Sequence, residues 1–123
     1  MTDKLIPLRI AGVGYSLPET VITNDDLTKL YETSDEWIYT RTGIKERRVV
    51  SGEQNAIDLG LEAAQNALAK AKMKPEEIDL ILAASSAPPD LYPAIACHIQ
   101  SRLGITKPIP AFDITAACSG LIY

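Results

Sequence analysis

The chain has 123 residues, 46% of them hydrophobic and 23% charged, with a formal net charge of −4. That balance suits an ordinary globular protein with one core and excludes a disordered chain. The net acidity leaves no overall footprint for nucleic acid, no apolar stretch approaches the ~20 residues that span a bilayer, and the start MTDKLIPLRI lacks a signal-peptide pattern, so a cytoplasmic protein with neither nucleic acid nor membrane as partner is expected.

Residues 5–14 alternate and run out into glycines, which predicts a strand over residues 8–13, with Pro7 near its start or on an edge. Residues 15–23 then turn at Leu17 and Pro18. Asn24 or Thr23 is a suitable N-cap for a short helix over residues 25–31, which has acids in its first turn. Thr33, Ser34, Asp35 and Glu36 form a capping-box pattern that opens a second short helix, carrying Trp37 and Ile38 and ending near Gly43. Residues 44–50 resume as a strand or extended segment bearing Lys45, Arg47 and Arg48.

Residues 56–71 form the clearest helix, because Ile57, Leu61, Ala64, Leu68 and Ala71 fall on one face. Its alanines predict close packing on a neighbouring element. Pro75 suits the first position of a single helical turn, and residues 78–85 follow as a near-continuous apolar run, the pattern of a strand covered on both faces. Pro88, Pro89 and Pro93 make an extended loop, and residues 94–103 read as a helix closed by Gly104. Ala111, Phe112 and Ile114 then form a short buried strand. It breaks into Thr115, Ala116 and Ala117, which carry Cys118, followed by Ser119, Gly120 and an apolar restart: a strand, a tight turn and the opening of a helix. That helix stops five residues later with no stop signal, so the chain reads as a fragment.

Strands alternating with helices predict an α/β layer with a largely parallel, doubly covered sheet. In such sheets active residues sit at the carboxyl ends of strands, where Cys118 falls. A thiol in the first turn of a helix is shifted toward thiolate, the nucleophilic form; alternatively Cys118 is a small buried hydrophobe. Two cysteines, Cys97 and Cys118, neither near a second ligand at metal-site spacing, predict reduced thiols, no disulfide and no metal. Trp37 and Arg41 are four apart, so on a helix they share a face that could stack on and charge-pair with a nucleotide, with Lys45, Arg47 and Arg48 nearby. The competing reading is that Trp37 is core and the basic run a solvated edge. His98 follows Cys97 on a helix, where adjacent side chains diverge by about 100° and form no dyad, so His98 reads as structural. A cysteine peptidase would need a His able to reach Cys118, and none is evident.

TSDEWIYTRTGIKERR (residues 33–48) and AFDITAACSGLIY (residues 111–123), with GVGYSLPE and YPAIACHIQSRLGI, resemble β-ketoacyl-acyl-carrier-protein synthase III over essentially the whole chain. The resemblance implies a thiolase-like α/β fold, a five-layer αβαβα architecture with mixed, mainly parallel sheets that works as a homodimer. Residues 1–123 would be most of its N-terminal half, incomplete, with the C-terminal half absent from this chain. The implied activity is the initiating decarboxylative Claisen condensation of type II fatty acid synthesis. An acyl-CoA, with acetyl-CoA the expected primer, reacts with malonyl-acyl carrier protein, and because the coenzyme A thioester is a substrate no cofactor is implied.

By the same resemblance Cys118 is the acylated nucleophile, Trp37 stacks on adenine and Arg41 pairs with the phosphates of coenzyme A. Thr33 looks like a further contact in that channel, although capping alone would explain it. Tyr92 would reach across the dimer interface to the partner's acyl pocket and favour short primers, or else it is a loop aromatic covering apolar surface. Lys45, Arg47 and Arg48 would form part of a docking surface for the acidic carrier protein. The family's His and Asn for the malonyl carbonyl have no match here, so this chain is not expected to turn over by itself. The alternatives are another thiolase-fold acyl-CoA condensing enzyme, such as a hydroxymethylglutaryl-coenzyme A synthase, a plant-type polyketide synthase or a long-chain condensing enzyme, or a non-catalytic coenzyme A-binding or dimerisation module.

Overall fold

The computed structural model describes residues 9–123. They divide into two compact units, Leu17–Asn55 and residues 9–16 with Ala56–Tyr123.

In the smaller unit, β1 (Thr20–Thr23) leads directly into α1 (Asn24–Thr28), followed by α2 (Asp35–Thr42) and β2 (Glu46–Val49). β1 and β2 pair antiparallel, with Thr20 opposite Val49 and Thr23 opposite Glu46. Thr23 caps α1 in a reciprocal box, its hydroxyl taking the Asp26 N–H while the Asp26 carboxylate takes the Thr23 N–H at 3.0 Å. α2 begins at Ser34, whose hydroxyl accepts the Trp37 N–H at 3.1 Å. It ends at Gly43, which takes a left-handed φ of 69° that a side chain would resist. α2 buries none of its residues.

The larger unit runs α3 (Ala56–Ala71), a 3-10 turn (Pro75–Glu77), β3 (Ile81–Ala84), α4 (Ile95–Arg102), β4 (Ala111–Ile114) and a second 3-10 turn (Ala117–Leu121). β3 and β4 pair parallel, Ile81 opposite Ala111 and Ala84 opposite Ile114, so the connection between them must cross over, and α4 lies in it. The core is Ile57 of α3 with Ile95 and Ile99 of α4, flanked by Ala64, Ile81, Ala83 and Leu103. This is the apolar stripe read from α3, closed by one face of the parallel pair.

Four expectations change. Leu8 lies outside the described residues, and residues 9–13 are not a strand. The segment runs instead against α3, close enough that a Cβ on Gly12 would meet the Ala67 carbonyl and the Ala71 methyl. Asn66 donates to the Tyr15 carbonyl at 3.1 Å, and the Ser16 hydroxyl donates to Glu62 at 2.7 Å. Alternation marks a packing face, but a strand also needs a neighbouring edge for its ladder. Second, Thr20–Thr23, read as part of a turn, is β1: its β-branched residues suit an extended chain once β2 is opposite.

Third, among the described residues β3 has one face on the core and a second that is only partly covered, by Gly120 at Ala84. Ile81 and Ala83 meet the core, whereas Leu82 and its ladder partner Phe112 remain 47% and 49% exposed. An apolar run states that water is disfavoured, not what covers it. Fourth, the segment that carries Cys118 is a five-residue 3-10 turn and not the first turn of an α-helix.

Candidate active site

The site on the larger unit is built at the carboxyl end of β4. After Ile114 the chain leaves the ladder, and Ala117 adopts a left-handed backbone with φ of 45°. For a residue with a Cβ that conformation costs about 1–2 kcal/mol, so the surrounding packing must hold it. Two contacts do so. The Asp113 carboxylate, on β4, accepts the N–H groups of Ile95 at 2.8 Å and Ala96 at 2.9 Å, tying the strand to the start of α4. Gly120 is buried against β3, where an added Cβ would sit 2.7 Å from the Ala84 methyl.

Between these anchors Cys118 is exposed. Cys97, by contrast, is half-buried on α4 with its Sγ 3.5 Å from the Ala111 carbonyl. His98 beside it has a buried Nε2 without a hydrogen-bond partner. Tyr92 is 88% exposed in the loop before α4, so it covers no apolar surface among the described residues.

The smaller unit brings together Trp37, Arg41 and Thr33. The Arg41 guanidinium lies over the indole of Trp37, 4.4 Å from the ring centroid, as residues four apart on one helix allow. Trp37 is 53% exposed and is not a core residue. An open hollow beside it is lined by Glu32, Thr33, Ser34 and Trp37. The Thr33 hydroxyl oxygen is buried there without a partner. Capping does not explain it, because Ser34 performs that role.

Arg47 and Arg48 make hydrogen bonds within the smaller unit. Arg47 donates to the Ile22 carbonyl at 3.2 Å and to Asn24 Oδ1 at 2.6 Å. Arg48 donates to the Pro18 carbonyl at 3.0 Å. Arg47 is half-buried, whereas Arg48 is exposed on β2. Lys45 remains exposed, its ammonium 5.3 Å from the Tyr39 ring.

Sequence reasoning missed Asn24, Asp113 and the left-handed Ala117. One signal was available: a carboxylate inside the apolar strand AFDI needs donors nearby, since an unpaired buried charge is strongly disfavoured.

No family model matches the chain. The chloroplastic β-ketoacyl-[acyl-carrier-protein] synthase III of Arabidopsis thaliana is 50% identical over 121 residues, 97% of this chain and 30% of that protein. The crystal structure of 3-oxoacyl-[acyl-carrier-protein] synthase III from Aquifex aeolicus VF5 matches with a TM-score of 0.86 at 48% identity, over 93% of this chain and 36% of that one. Over nearly its whole length the chain is similar to a part of β-ketoacyl-[acyl-carrier-protein] synthase III. The architecture described above is part of the thiolase-like α/β fold of the synthase III structures. A priming β-ketosynthase from the R1128 polyketide pathway shares it, with a TM-score of 0.86 at 32% identity. The chain spans 30% of the Arabidopsis synthase III and 37% of that from Xanthomonas euvesicatoria.

Proposed function

We propose that the longer protein represented by this chain starts fatty acid assembly by condensing an acyl-CoA, with acetyl-CoA the preferred primer, with malonyl-acyl carrier protein. The observation that carries the reading is the exposed thiol of Cys118, held by a left-handed Ala117 just past the carboxyl end of a parallel strand. The Cys118 thiolate attacks the thioester carbonyl, a new C–S bond forms, and coenzyme A leaves as its thiol after taking a proton. The backbone N–H of Cys118 serves as an oxyanion donor. Malonyl-acyl carrier protein then loses carbon dioxide, and its carbanion takes the acyl group, releasing 3-oxoacyl-acyl carrier protein and the free thiol.

Trp37, Arg41 and Thr33 form the coenzyme A site: the open face of the indole stacks on adenine, Arg41 pairs with phosphate, and the unpartnered Thr33 hydroxyl gains a polar partner. Coenzyme A enters as part of the substrate, and no cofactor is required. Exposed Lys45 contributes to carrier-protein docking. The protein acts in the cytoplasm as a homodimer, in which Tyr92 closes the partner's acyl pocket.

Intact mass spectrometry before and after incubation with acetyl-CoA tests this. One acetyl group mapped to Cys118, absent in Cys118→Ala, is the expected result. Joining this chain to the remaining two thirds of the Aquifex aeolicus enzyme is expected to give a chimera that consumes malonyl-acyl carrier protein. A chimera that folds and turns over equally well with Cys118→Ala would overturn the reading.

A further inference from the structure

We infer that Asn24 is the positioning residue for the nucleotide-binding face of α2, an inference that rests on the reading of Trp37 and Arg41 given above. α2 has eight residues and buries none of them, so no apolar stripe sets its tilt or rotation. A helix that short has little stability of its own. Ile38 alone is half-buried, so the placement of α2 rests mainly on polar contacts, and these converge on one side chain.

Asn24 is 1% exposed. Its Nδ2 donates to Asp35 Oδ1 at 2.7 Å, at the first residue of α2, and to the Ile44 carbonyl at 2.7 Å, immediately beyond the Gly43 cap. One amide nitrogen therefore clips the helix at both ends. The opposite side of the amide is filled as well: Oδ1 accepts from Arg47 at 2.6 Å, and the Asn24 N–H donates to the Lys45 carbonyl at 3.1 Å. Arg47 passes the restraint to β1 through the Ile22 carbonyl.

The geometry demands Asn in particular. Two donors on one atom and an acceptor beside them match the primary amide, whereas Asp keeps the acceptor and loses both donors. With α2 held at Asp35 and Ile44, Trp37 and Arg41 are presented in one orientation, so nucleotide binding does not have to order the helix.

Trp37 is the only tryptophan, so its emission reports directly on this face. The experiment titrates coenzyme A into the chain and its variants while following that emission, with far-UV circular dichroism confirming that each is folded. Asn24→Asp turns a carboxylate toward both Asp35 and the Ile44 carbonyl, and weakening of about tenfold or more is expected, the scale of a lost hydrogen bond to a charged group. The double variant Asn24→Asp with Asp35→Asn restores a donor opposite the new carboxylate and should recover most of that loss; stability alone does not predict such a rescue. Asp35→Ala, at an exposed position, removes only the first clip, with weakening of roughly threefold expected.

Native affinity in folded Asn24→Asp, or no recovery in the double variant, would overturn the inference. If Asn24→Asp does not fold, unchanged affinity in Asp35→Ala overturns it. A parent chain whose Trp37 emission ignores coenzyme A would instead remove the nucleotide reading itself, a result separate from any difference among the variants.

Discussion

Asp113 on β4 accepts the backbone N–H of Ala96, on α4, at 2.9 Å. Its second oxygen takes the N–H of Ile95, so one carboxylate satisfies two of the donors that every helix leaves open at its N-terminus, where the dipole also favours negative charge. Five residues after Asp113 comes Cys118, and two residues before Ile95 comes Pro93, preceded by Tyr92. The strand that delivers the thiol and the loop that carries Tyr92 are thus tied to one side chain.

Asp113→Ala is expected to destabilise the chain by about 3 kcal/mol, because it leaves two helix N–H groups without their charged acceptor. Asp113→Asn should recover little, since its NH2 group would face an N–H donor. Urea unfolding followed by circular dichroism measures both. A loss below about 0.5 kcal/mol, the range of ordinary surface changes, would show that the bridge does not hold the strand to α4.

Gly120→Ala places a methyl 2.7 Å from the Ala84 methyl, so the turn bearing Cys118 must lift from β3. Overpacking of this kind costs roughly 1–3 kcal/mol. The rate of Cys118 alkylation by iodoacetamide should change as the turn moves. Ala84→Gly in the same chain should restore the rate, and failure to do so would locate the effect elsewhere.

Arg41→Ala removes both the cation over the indole and the proposed phosphate partner. Weakening of coenzyme A binding by about tenfold is expected, with Arg41→Lys intermediate because it keeps the charge but not the planar fork. Titration at rising salt separates the two contributions: the phosphate pairing is screened, whereas stacking on Trp37 is not. Equal affinity for all three proteins would exclude Arg41 from the site.

The Asp26 carboxyl lies well below the usual carboxylate range, first because it accepts from Lys29 and then because Thr23 donates to it from both its hydroxyl and its backbone. A folded value below the unfolded one means that the carboxylate stabilises α1 above the ordinary Asp pKa of about 3.9 and loses that effect as the pH falls through the folded value. Carbon NMR titration of Asp26 should show a depressed midpoint, and Lys29→Ala should move it upward. An ordinary midpoint in the parent would mean that the box is not formed in solution.

Much of the local structure was legible in the residues. The Ile57 to Ala71 periodicity marks α3 over its full length, Pro75 marks the 3-10 turn, and Gly43 and Gly104 mark where helices end. Those features depend on neighbours three or four positions away, which a single sequence displays. The motif around Cys118 was legible too, and so was the pairing of Trp37 with Arg41 on one helical face.

What the sequence by itself determined, then, is the helices with their faces, the strands from β2 onward and the likeness to synthase III. Tertiary structure decided the partners. Asn24 read only as a cap candidate, yet it joins Asp35, Ile44 and Arg47, and Asp113 reaches back to Ile95 and Ala96. It also decided that Arg47 and Arg48 bond to the chain at and before β1, that Ser34 and not Thr33 caps α2, and that Leu82 on β3 stays exposed. The physical reason is common to all of these. A helix can be anticipated from intrinsic preference and period, but which donor meets which acceptor across tens of residues depends on the packed chain, where each buried polar group must find a partner.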